Sequence, residues 1–246
     1  MTSTEHLDHC VIAEKSYAMG DGMMHVMVFP PEFRAVQHHF PIFFAKDPET
    51  GSFYPTALLG LEQDENLFLE SHGWGAHYLP MMMERSPFFI SFQSSIEGEK
   101  RPVVSIDMDS ARVTKNKGIR LFQDSGEPSK YLQDVVKKLE AIHKGHQHNK
   151  DFASALLELE LLESCNVEVG LEDGSQRKLT GFYALNEDKL HKLDGESLSS
   201  LHSNNFLHSI YMCLASYSRI STLVEKKNFL IRAKNKQFVS EKEVAN

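Results

Sequence analysis

A chain of 246 residues is long enough to bury a substantial core, as one large domain or two small ones. Its composition, 41% hydrophobic and 24% charged, is that of an ordinary globular protein, and its net charge is −8 with no long basic run. That balance excludes a nucleic-acid surface and an anionic-membrane surface, both of which need clustered Lys and Arg.

Residues 1–22 have a weak pattern and two glycines, Gly20 and Gly22, and read as a loosely attached arm. Met23 to Phe29 reads as a strand that Pro30 and Pro31 stop. The double proline opens a short helix from Glu32 to His39, with Phe33 and Val36 sharing its buried face. Pro41 to Lys46 and Phe53 to Leu61 are strand-like and flank the turn residues Asp47 to Ser52, which predicts a hairpin. Asn66 to Glu70 predicts a further short strand. Tyr78 to Arg85 predicts a short helix with Pro80 in its first turn. Phe88 to Gln93 and Pro102 to Met108 are strands joined by the polar segment Glu97 to Arg101.

Ser110 to Ser129 is polar and glycine-containing, so 110–129 is the best candidate sub-boundary. Tyr131, Leu132, Val135, Val136, Leu139 and Ile142 recur at helical spacing, and Gly145 marks a polar break over His143 to Lys150. A second helical stripe runs from Phe152 to Leu162. The alternating Asn166 to Leu171, the turn Glu172 to Ser175 and the returning Gln176 to Leu185 form the clearest β-hairpin. Asn186 caps a short helix, Leu198 and Leu201 mark another, and Phe206 to Ile231 is the longest helical candidate. The charged tail 235–246 is expected to fray. This order gives an α+β fold: an N-terminal, mostly antiparallel β region with short helices, then C-terminal helices plus a β-hairpin. Residues 23–234 are expected to form one compact unit, because the second hairpin needs a layer to cover it.

No run of about 18 apolar residues is present, so no membrane span is expected. Met1 to His9 lacks the basic-then-apolar pattern of a secretory signal, and Cys10, Cys165 and Cys213 are isolated from one another. Reduced thiols in a cytoplasmic protein follow, with Cys165 and Cys213 as packing residues rather than nucleophiles.

Several motifs then occur together: Phe40 to Phe44, Ala57 to Leu61, Asn66 to Phe68, and Trp74 with Tyr78-Leu79-Pro80 and Arg85 to Phe88. Later come Gly181 to Tyr183, Asn186 to Leu190, Leu193, Leu201-His202 and the Ser216, Ile220, Leu223 helix. In this order, across roughly residues 23–224, the set resembles the bacterial SapC family. The chain departs from the family's pattern at Glu84-Arg85-Ser86, where a pair of arginines is usual, at Phe182, and at Ser203 to Asn205. The resemblance implies association with bacterial surface-layer proteins. It carries over no activity, metal or cofactor. It further implies an accessory role in an uptake or modification locus, beside halogenase-like or cupin-like oxygenase proteins.

The densest aromatic and imidazole cluster is His72, Trp74, His77 and Tyr78, with Arg85 close behind. Such a loop can line a ligand pocket for a small molecule, peptide or partner protein. A loop pinned by a buried indole and phenol is the alternative. Arg85 can hold a carboxylate or phosphate as a fork, or pair with Glu84. His143, His146 and His148 can hold a metal only if further ligands arrive, since closed sites usually use four. His38 and His39, as neighbours in a helix, do not face each other, and Met81 to Met83 read as packing. Asp107 and Asp109 can bind a cation or cap a turn. No nucleotide-binding, hydrolase or metalloprotease motif occurs. The expectation is a non-catalytic binding or accessory protein without a cofactor. The alternatives are an accessory subunit of an oxygenase system and a surface-layer-associated protein.

Overall fold

A computed structural model describes residues 1–94 and 100–244 of the chain. The strands in chain order are β1 (Cys10–Val11), β2 (His25–Met27), β3 (Ile42–Lys46), β4 (Phe53–Leu58), β5 (Leu69–Glu70), β6 (Gly73–Trp74), β7 (Phe88–Ser94), β8 (Lys100–Ile106), β9 (Val113–Thr114), β10 (Ile119–Arg120), β11 (Leu162–Gly170) and β12 (Gln176–Leu185). The helices are α1 (Ser3–His6), α2 (Phe33–Val36), α3 (Met81–Glu84), α4 (Lys130–Glu158), α5 (Glu187–His191), α6 (Gly195–Ser203), α7 (Phe206–Ser216) and α8 (Ile220–Val244). The sheets are antiparallel and the C-terminal part is helical around the β11–β12 hairpin, which is an α+β fold.

The chain divides into two compact units. The first comprises Met1–Asp21, Leu69–Gly75 and Leu79–His148; the second comprises Gly22–Phe68, Ala76–Tyr78 and Asn149–Asn246. The segment 110–129 lies inside the first unit and divides nothing.

In the first unit, β1 is the middle strand of the order β10-β1-β9, and β7 pairs with β8 from Phe88 opposite Ile106. Val11, Phe88, Leu121, Phe122, Leu132, Val135 and Leu139 form one core cluster. The N-terminal arm is therefore built into this unit. Two observations explain why its sequence looked loose. A two-residue strand is too short to show alternation, and its anchoring is polar. Asp21 pairs with Arg112, whose Nη1 also donates to Ile12 O (2.9 Å) and Glu14 O (2.7 Å), while Lys15 Nζ donates to Met83 O (2.7 Å). All three side chains are nearly inaccessible, at 4% or less. Gly118 lets β10 lie against β1: its φ is +102°, and a Cβ there would sit 2.4 Å from Val11 O.

In the second unit the sheet order is β11-β12-β3-β4-β2. The β3–β4 and β11–β12 hairpins fall where turn chemistry predicts them, with Asp47 Oδ1 accepting from Glu49 and Thr50 N–H (2.9 Å each). Phe33, Phe44 and Phe206 ring the buried Phe152 at centroid distances of 6.0, 6.0 and 5.4 Å. Ser216 Oγ accepts from Ile42 N–H (2.8 Å) and Tyr217 Oη from Leu185 N–H (2.9 Å). These two bonds coincide with a 3-10 turn, Tyr217–Arg219, that splits the expected single helix into α7 and α8. Asn186 caps α5, its side chain accepting from Lys189 N–H.

Three expectations change. Helix α4 is continuous through His143 to Lys150, because Leu132, Val135, Leu139, Ile142, Gly145, Asn149, Phe152 and Leu156 make one buried stripe. A mid-helix glycine costs only about 1 kcal/mol relative to alanine, which that burial outweighs. Helix α8 runs to Val244, through the segment expected to fray. The strand expected over Asn66 to Glu70 shrinks to Leu69–Glu70. The segment Glu97 to Glu99 lies outside the described residues. Among the described residues, no helix is long and apolar enough to cross a membrane.

Candidate functional site

Helix α3 starts after Pro80 and stops at Arg85, which precedes the cis Ser86–Pro87 peptide and β7. Arg85 is fixed from both sides: its N–H donates to Met81 O (3.0 Å) and its carbonyl accepts from Phe88 N–H (2.7 Å). The side chain turns back, and Nη1 donates to Phe88 O (2.9 Å). Its Nε is buried and has no acceptor among the described residues. Burial pushes the guanidinium below its ordinary proton affinity. The ion pair with Glu84 weighed from sequence does not form, because Glu84 pairs with Lys138 on α4.

Arg85 lines a cavity of about 270 Å³ in the first unit, beside Met82 of α3. One wall comes from β7, with Phe89, Ile90 and Phe92. The other comes from α4, with Leu139, Ile142, His143 and His146. His143 and His146 are three residues apart on a continuous helix and share a face. The Phe92 ring stands 6.2 Å from that of His143. Among the described residues, no carboxylate lines the cavity. One guanidinium and two imidazoles within apolar walls suit an organic anion: the fork holds the charge and the rings cover the body.

His148 is not part of this wall, since five residues from His143 it has rotated to another face of α4. Among the described residues, no group of three or more His, Cys, Asp or Glu side chains is placed to hold a metal ion. The three-histidine metal idea therefore reduces to two imidazoles on the wall of the Arg85 cavity.

The five residues singled out from sequence do not fall in one unit. His72, Trp74 and Arg85 belong to the first, His77 and Tyr78 to the second. His72 is exposed and lies 3.1 Å from Glu70 Oε2, while Trp74 sits on β6 opposite Leu69. Neither lines the Arg85 cavity. Tyr78 Oη donates to the buried Glu32 Oε2 (2.7 Å), and His77 meets the ring of His39 at 5.9 Å. Asp107 and Asp109 form a turn in which Asp107 Oδ1 accepts from Asp109 N–H (3.1 Å). All three thiols are free, and burial pushes Cys165 up and Cys213 well up, so neither is an activated nucleophile.

Sequence reasoning missed Phe89, Phe92, Leu139 and Ile142 as site residues. The signal for the first two is apolar character at both parities of β7, which leaves the rings of Phe89 and Phe92 exposed. A larger cavity, of about 630 Å³, opens elsewhere in the same unit between Val103, Val104 and Phe122 and the α4 residues Leu132 and Val136. Its polar groups are Thr2, Gln93, Gln133, the Met1 ammonium, which donates to Val104 O (3.1 Å), and Lys137, which lies 3.8 Å from Asp134. It therefore offers less chemical specificity than the Arg85 cavity.

The model of the SapC family matches residues 1–223 of the chain. No curated protein and no solved structure matches it.

Proposed function

The chain belongs to the SapC family, and from that premise we propose that it is a non-catalytic binding protein. It captures a small organic anion with an apolar body in the Arg85 cavity. The observation that carries this reading is the Arg85 guanidinium on the wall of a cavity that it shares with aromatic rings and two imidazoles. A cavity of about 270 Å³ suits a one- or two-ring carboxylate rather than a peptide or protein segment. The binding role fits an accessory component of a bacterial uptake or modification locus, acting in the cytoplasm.

The test is calorimetric titration with phenylpropionate and with its neutral amide. The carboxylate binds, the amide does not, and Arg85→Met weakens the carboxylate by about 30- to 700-fold, the equivalent of about 2–4 kcal/mol. Equal binding of acid and amide, or a variant that binds as the parent does, refutes the assignment. Cell fractionation addresses the location: recovery in the surface fraction refutes the cytoplasmic reading and favours a surface-layer role.

A further inference from the structure

We propose a second anion site, in the other unit, formed by His38, His39, His77 and Arg219 and taking a tetrahedral oxyanion of the phosphate or sulfate class. This proposal does not rest on the Arg85 reading. The four side chains come from three separate stretches: the turn after α2, the segment Ala76–Tyr78, and the 3-10 turn Tyr217–Arg219. The His38 and His39 rings lie 4.7 Å apart at 87°, and the His39 and His77 rings lie 5.9 Å apart. Arg219 is close enough for its charge to act on His39.

The chemistry of the cluster is one-sided. Among the described residues, none of the four side chains has an ion pair or a hydrogen bond to an acceptor, and the Arg219 Nε is buried without one. The carboxylate on the neighbouring segment is already engaged: Glu32 Oε1 accepts from Phe29 N–H (3.0 Å) and Oε2 from Tyr78 Oη (2.7 Å). His39 is pushed below the ordinary imidazole value by burial, then by His38, His77 and Arg219, all of which repel its proton. Four cationic or potentially cationic groups that repel one another are stabilised together by one anion. A metal is the other natural partner of clustered imidazoles. Among the described residues, however, no three such ligands are placed to share an ion. Four side chains from three stretches offer more donors than the two oxygens of a carboxylate accept, and a tetrahedral anion supplies further acceptor oxygens.

Linkage fixes the sign of the pH dependence. The anion favours protonated imidazoles, so binding takes up protons and weakens as pH rises through the imidazole range. The charged groups that act on His39 are His38, His77 and Arg219, and an arginine keeps its charge throughout that range.

The experiment follows the imidazole signals of the full chain by NMR during titration with sulfate at constant ionic strength, since the sulfate charge is constant over the range. His38, His39 and His77 should shift saturably, with binding at least about tenfold tighter at about pH 5.5 than at about pH 8. The exposed His191 and His202 serve as references and should not follow. Arg219→Gln should weaken sulfate at least about tenfold. His77→Gln, at an exposed ring, should weaken it about fivefold and keeps the test decisive if the arginine variant does not fold. Inorganic phosphate and glycerol phosphate, compared at one pH, distinguish a free from an esterified ligand. Equal shifts at all exposed histidines, or sulfate binding unchanged in either variant, overturns the proposal.

Discussion

Replacing Arg85 with methionine separates a binding arginine from a structural one. Methionine keeps an unbranched chain of similar reach in the cavity wall and deletes every nitrogen. Two effects then oppose each other. Loss of the charge-assisted bond from Nη1 to Phe88 O costs about 1.5–3 kcal/mol. Removal of Nε, a buried donor without an acceptor, returns about 1–3 kcal/mol. The balance lies within about 2 kcal/mol of zero, or about 4–8 °C in Tm for a chain of this size. Phenylpropionate affinity, by contrast, should fall by about 30- to 700-fold, because the anion loses its fork. Circular-dichroism melts and calorimetric titration of the same samples read both quantities. A fall in Tm beyond about 10 °C would show that the guanidinium holds α3 against β7, and the ligand argument would fail. Unchanged affinity would defeat it from the other side.

Three further outcomes follow from the first unit. Gly118→Ala should destabilise by more than about 2 kcal/mol, because alanine is strained at φ +102° and its Cβ would meet Val11 O at 2.4 Å; an unchanged melt would mean that β1 and β10 do not pack this way. Asp21→Asn removes the carboxylate paired with the buried Lys15 and Arg112 and should cost about 3–5 kcal/mol, read as a lowered urea midpoint. Burial, then Arg112, brings Lys15 down to about 8 from 10.5. The unfolded chain therefore holds that proton to higher pH than the folded one, and the Lys15 contribution to stability rises between about pH 8 and about pH 10.5 and is flat below. The urea-midpoint difference between the parent and Lys15→Met should change across that window. A difference that stays constant through it contradicts the assignment.

The second unit is more legible in the sequence than the first, and the reason is the length scale of the signals. Its hairpins carry runs of five to ten strand residues and tight turns rich in Asp and Gly, so periodicity and turn chemistry both report them. The first unit is tied together by two-residue strands and by Lys15, Asp21 and Arg112, which no hydrophobic pattern reveals. A buried Arg112 at 1% exposure is indistinguishable in sequence from a surface arginine. The arm and the segment 110–129 therefore read as loops, although the arm supplies the middle strand of one small sheet and the segment supplies both of its edges.

The site shows the same effect in its most consequential form. Arg85 is legible in the sequence as a candidate site residue, but its neighbours in the chain, His72 to Tyr78, do not line its cavity. Its actual companions come from α4, and what hid them was a single assumption about Gly145. If glycine breaks the helix, His143 and His146 belong to a polar loop with no fixed direction. If burial of Ile142 and Asn149 on either side carries the helix through, the two imidazoles lock onto one face, with Leu139 and Ile142 lining the same cavity. The helix's continuity is thus a condition of the site. Gly145→Pro, which removes a helical N–H and clashes with the preceding turn, should abolish phenylpropionate binding even though residue 145 does not line the cavity. Gly145→Ala tests helix propensity separately and should leave binding within about threefold, provided the buried position accepts a methyl group. Intact binding in the proline variant would show that the imidazoles do not depend on α4 for their placement.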